Sequence, residues 1–216
     1  MHPVLSTSAG DWFLPADGGT GSLLRVADGI GAVDVRRIRD LGLPGLLPIG
    51  NVAENGQVWL RTPQPPGPTL DEALRFGLGG LGLGGFGVGG ADGVAVISGV
   101  VRVLADLHAR GLVHGRLDGE AVLLDPDGSA VVVMLCAGDA DPAADTAAAA
   151  RLARAVAVAW CEDDPERAEI LYRCAARLEG RGARAALDVL PTQPRGGHEA
   201  LRRMARTWTP CPSARG

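Results

Sequence analysis

From Val94 to Val133 the chain passes from a helical period straight into two short apolar runs with a turn between them, and this stretch limits the fold most. Ile97, Val100, Val101, Leu104 and His108 recur at three- and four-residue steps through VAVISGVVRVLADLHARG, which predicts one helix stopping at Gly111. After Val113-His-Gly and a short loop come Val122-Leu-Leu, the turn sequence Asp125-Pro-Asp-Gly and a run of valines, which read as a hairpin. With strand signals before this unit and helical signals after it, the chain belongs to the α+β class.

Residues 1–20 are rich in Gly, Ser, Asp and Pro, with Trp12, Phe13 and Leu14 as the only apolar anchor, and read as a flexible leader. A small strand-rich unit is expected over 21–64. It holds a short strand in GSLLRVADG and a helix in AVDVRRIRDLGLPG, with Val33, Ile38 and Leu41 on one face and Gly42 and Pro44 as stops. Asn55-Gly56, between the apolar runs of LLPIGNVAENGQVWLRTP, predicts strand, turn, strand. The proline segment Pro63–Pro68 then acts as a hinge into a helical unit over 65–216, which opens with Thr69 and Glu72 spaced as a capping box.

Within the helical unit, Gly77–Gly93 contains Gly-x-Gly-x-x-Gly twice. It follows a helix instead of a strand, and glycine this dense satisfies almost any spacing, so it reads as a flexible insertion. Helices are expected over Asp141–Trp160 and in DPERAEILYRCAARLEGRG, which ends at Gly180. A last amphipathic helix in GGHEALRRMARTW sets Leu201, Met204 and Trp208 along one side.

Composition excludes some chemistry outright. All 21 basic side chains are arginine, so nothing that requires an ε-ammonium group, such as a Schiff base or a phosphate-clamping lysine, is open to this chain. The formal charge of −4 argues against nucleic-acid binding. Cys136, Cys161, Cys174 and Cys211 are widely spaced with no histidine cluster, so reduced thiols and no metal site are expected. The start lacks the pattern of a secretory signal, and no run of apolar residues is long enough to span a membrane. A cytoplasmic location is therefore expected.

LHARGLVHGRLDGEAVLLDPDGS is similar to the catalytic hairpin of bacterial serine/threonine kinases and of aminoglycoside-type phosphotransferases. The order of a strand-rich part, a proline hinge, a helix, this hairpin and a helical remainder resembles the two-lobed protein kinase fold, with a reduced first lobe and a truncated second one. The resemblance is tightest from about Leu104 to Trp160 and covers roughly two thirds of the chain. It implies that His114 braces the loop and that Asp145 accepts hydrogen bonds from the loop backbone.

The same resemblance implies a loss of chemistry. The position of the catalytic Asp is Arg116, a cation that cannot accept a proton. The metal-binding Asn falls on Ala121, and the Asp of the Asp-Phe-Gly motif on Met134; neither offers the hard oxygen that magnesium takes. In the first lobe, Arg25 stands near the lysine position and Asp34 near that of its acidic partner, which suggests an Arg25–Asp34 ion pair.

The expected function is therefore that of a pseudokinase, a catalytically inactive scaffold or allosteric regulator in bacterial signalling. Its partner would be another protein, bound through Leu201, Met204 and Trp208 or through the face of the hairpin. No cofactor is required on this reading, although metal-independent nucleotide binding remains compatible with it. The alternative is a divergent ATP-dependent kinase or small-molecule phosphotransferase that uses Asp118, Glu120 and Asp139 instead.

Overall fold

Alternation of apolar and polar side chains builds the first layer. In SLLRV, Ser22, Leu24 and Val26 are buried; in VWLRT, Val58, Leu60 and Thr62 are; the residues between them face outward. In the computed structural model, which describes residues 3–15, 21–63, 67–77, 89–125, 127–135, 137, 141–191 and 201–202, these segments join a five-stranded sheet. Its strands are β1 (Leu5–Thr7), β2 (Gly10–Phe13), β3 (Ser22–Val26), β4 (Val52–Glu54) and β5 (Val58–Thr62), in the order β1-β2-β3-β5-β4, every pair antiparallel. Register aligns Leu5, Trp12, Leu24, Leu60 and Val52 into one apolar row across all five strands.

That row corrects the reading of a leader over residues 3–15; residues 1–2 and 16–20 lie outside the described residues. Leu5 and Trp12 are buried, and Ser8 and Ala9 between the strands form a tight turn. Gly10 has φ +138°, and a Cβ there would stand 2.0 Å from the Arg25 carbonyl oxygen, so glycine at this position lets β2 close on β3.

Helix α1 (Ala32–Leu41) covers the buried face with Ala32 and Val35, turns Ile38 into the helical core, and ends at Gly42 in the left-handed region. Val33, expected on the packing face, is 75 % exposed. The five-residue step from Val33 to Ile38 turns a helix about 140° off one stripe, whereas 32, 35 and 38 stay on it. At the other sheet edge Asn55 and Gly56 occupy the β4–β5 turn, with Gly56 at φ +72°.

The second layer is helical: α2 (Leu70–Gly77), α3 (Gly90–Ala109), α4 (Pro142–Trp160), α5 (Pro165–Arg181) and the short α6 (Ala183–Ala186). Thr69 and Glu72 form the reciprocal cap of α2: the Thr69 amide donates to Glu72 Oε2 at 2.9 Å and the Glu72 amide to Thr69 Oγ1 at 3.1 Å. Helix α3 begins four residues earlier than its periodicity suggested. Asp92 Oδ2 accepts the Gly89 amide at 2.9 Å, which secures the first turn.

The glycines there serve packing, which corrects the extent of the Gly77–Gly93 insertion. A Cβ on Gly90 would stand 2.9 Å from Arg167 Cβ, and one on Gly93 2.6 Å from Val156 Cγ1, so both allow α3 to lie close against its neighbours. Gly77 ends α2, and residues 78–88 lie outside the described residues.

The hairpin of β6 (Val122–Leu124) and β7 (Ala130–Val132) stands between the layers. Val122 and Leu124 pack into the helical core, while Leu123 between them, with Val133 and Leu135 further on, packs into the sheet core. A strand with apolar residues at every position is buried on both faces, as the unbroken Val-Leu-Leu run requires.

Candidate functional site

The loop from Val113 to Ala121 leaves α3 through a tight C-terminal closure. The Leu112 amide returns to the Leu107 carbonyl at 3.0 Å and Gly111, at φ +69°, turns the chain outward. Asp145, in the first turn of α4 and 1 % exposed, then takes hold of the loop. Its Oδ2 accepts the His114 amide at 2.7 Å and its Oδ1 the Gly115 amide at 2.8 Å. His108 Nε2, at 3.1 Å from Oδ2, supplies a third donor. Burial pushes the Asp145 carboxyl up, but the hydrogen bonds from His108, Gly115 and His114 outweigh it and hold the group below the ordinary carboxylate range.

His114 is buried, and its two ring nitrogens are used differently. Nε2 lies 3.0 Å from the Val133 carbonyl, which can only accept; Nδ1 lies 3.2 Å from the Arg116 amide, which can only donate. The ring is therefore neutral with its proton on Nε2. Burial lowers its pKa below the usual histidine value, with the charge of Asp145 and the Val133 carbonyl opposing in part. The imidazole ties the loop to Val133, the residue that follows β7.

Arg116, Ala121 and Met134 come together, with His114, around one cavity of about 40 Å³. Ser8 and Ala9, in the β1–β2 turn, and Ile30 close it from the sheet side, and the Ser8 amide donates to Glu120 Oε2 at 3.0 Å. Among the described residues that line it there is no carboxylate and no side-chain amide. Its volume suits a water molecule or two, against the several hundred Å³ of a cofactor or drug-sized pocket. Asp118 is exposed and turned back on the loop, with Oδ1 accepting the Ala121 amide at 2.8 Å. Asp139 lies outside the described residues.

One expected grouping is corrected, and a second is corrected only at Leu201. Arg25 pairs with Asp11, its direct cross-strand neighbour, and its guanidinium sits 5.8 Å from the centre of the Phe13 ring; it does not pair with Asp34. Leu24 and Val26 on the same strand face the α1 side, so Arg25 between them faces away, and Asp34 is exposed on α1. Leu201 is fully buried in the helical core and offers no side chain to a partner; Met204 and Trp208 lie outside the described residues. The apolar face at Leu201 belongs to the domain's own packing.

Sequence reading placed His108 only on the apolar face of its helix and gave no role to Ser8. Both act on the loop through partners more than thirty residues away in the chain, His108 on Asp145 and Ser8 on Glu120, which no local pattern encodes. No helix among the described residues is long and apolar enough to cross a membrane. No family model matches the chain, and no curated protein matches its sequence.

Proposed function

We propose that this chain is a kinase-like domain of two reduced lobes that has kept the frame of a catalytic hairpin without its phosphotransfer chemistry, and that it acts by binding another protein in bacterial signalling. The observation that carries the reading is the lining of the small cavity. Arg116, Ala121 and Met134, which the resemblance aligns with the base and metal-ligand positions of a kinase, line a space too small for a triphosphate. The arrangement around them supports it. Asp145 and His114 hold the loop by its backbone, an arrangement that needs no substrate to be worthwhile. The exposed face of the loop, with Arg116 and Asp118, is the surface this reading offers to a protein partner.

The test is thermal unfolding of the purified chain with ATP, with and without magnesium, beside an assay of phosphate transfer to protein and small-molecule hydroxyls. The expected result is no magnesium-dependent rise in Tm and no transfer. A rise that needs magnesium, together with transfer that disappears in Asp118→Ala, would overturn the proposal in favour of a divergent phosphotransferase.

A further inference from the structure

The turn between β4 and β5 leaves an asparagine side chain open to attack by the backbone next to it. The Asn55 amide donates to the Gln57 carbonyl at 3.1 Å, and Gly56 stands between them at the tip, at φ +72°. Asn55 and Gly56 are both exposed. Among the described residues, neither the Asn55 side chain nor the Gly56 amide has a hydrogen-bond partner. A Cβ on Gly56 would meet nothing within 4 Å, so no other part of the protein crowds the tip.

This arrangement permits one reaction. The Gly56 nitrogen, once hydroxide or a buffer base has taken its proton, attacks Asn55 Cγ. A C–N bond forms, a five-membered succinimide closes, and the side-chain nitrogen leaves as ammonia. Water then opens the ring, at Cγ to give aspartate or at the main-chain carbonyl to give isoaspartate. One water is consumed and one ammonia released, with no oxidant or reductant. Glycine favours the attack because it carries no side chain beside its nitrogen and has the freest backbone of any residue. The chain's one other asparagine, Asn51, is a built-in contrast. It is exposed too, but it precedes Val52, whose branched Cβ flanks the attacking nitrogen and whose backbone is held in β4.

We propose that Asn55 is a modification site, converted to aspartate and isoaspartate without any enzyme while the protein stays folded. The product sets a new carboxylate directly after Glu54, and the isoaspartate form adds a main-chain carbon within the Asn55–Gln57 closure of the β4–β5 turn. The inference stands whether or not the chain transfers phosphate. The test incubates the folded full chain at mildly alkaline pH beside the free peptide VAENGQVW, residues 52–59. Fragment masses read the exchange of NH2 for OH residue by residue, and isoaspartyl methyltransferase labelling reads the isoaspartate. Conversion is expected at Asn55 and not at Asn51, at a rate within about tenfold of the peptide's, so that the fold adds less than about 1.4 kcal/mol to the barrier. Asn55→Gln, which would have to close a six-membered ring, is expected to remove the label from this segment. No conversion at Asn55, a rate more than about tenfold below the peptide's, equal conversion at Asn51, or label undiminished in Asn55→Gln would each overturn the proposal.

Discussion

Asp145 accepts three hydrogen bonds on two oxygens from a position almost closed to solvent, so its replacement has a foreseeable cost. Asp145→Asn keeps one acceptor and turns the other oxygen into a donor facing a donor. The loss expected is about 1–3 kcal/mol, read as a lower midpoint in chemical denaturation. His114 makes a separate prediction in pH. Its folded pKa is lowered, so the unfolded chain binds the proton first; its contribution is fully present above about 6.5 and falls as pH drops through the lowered folded value. Asp125, raised to about 6, works in the opposite sense, since its protonation in the fold favours the folded state as pH falls below about 6. The difference in stability between the native chain and His114→Asn isolates the histidine, and it is expected to shrink steadily below pH 6.5. A difference that stays constant with pH would mean that His114 is not held neutral.

At the scale of elements, glycines separate packing from turning. Gly93→Ala puts a methyl group 2.6 Å from Val156 Cγ1 on the facing helix and is expected to cost about 1–3 kcal/mol. Gly180→Ala, in α5 with open space around its Cβ, is expected to gain about 0.5–1 kcal/mol. Thermal unfolding of the two variants side by side checks both signs. The same distinction marks what could be read from the sequence. The Asn55-Gly56 turn, the Thr69–Glu72 cap and the Val-Leu-Leu strand were legible because each is decided within a few residues. The strands β1 and β2 were hidden because their apolar residues are few and make sense only in register with Leu24 and Leu60. The partner of Arg25 was misread for a related reason: strand pairing decided it, and register is a tertiary property. In the candidate site, four of the residues facing the cavity, His114, Arg116, Ala121 and Met134, could be named from the sequence. Its small volume could not, because Ser8 and Ala9, over a hundred positions earlier in the chain, close it.

For the whole molecule, the hairpin decides how the parts unfold. Because alternate residues of β6 enter different cores, neither the sheet nor the helices can melt without stripping one side of the same strand. A single cooperative transition is expected, with helical circular dichroism and the fluorescence of a variant retaining only Trp12 and Trp59 changing together. Separate midpoints for the two signals would show that the layers are independent. The doubly covered strand also bears on attempts to divide the chain. A gene split at the proline segment would release a C-terminal fragment with Leu123, Val133 and Leu135 bare to water, and an N-terminal one whose apolar row had lost its floor. Each piece would expose the kind of sticky surface that draws copies together. Co-production of both halves, with reassembly around that shared ribbon, is the arrangement under which either should stay in solution.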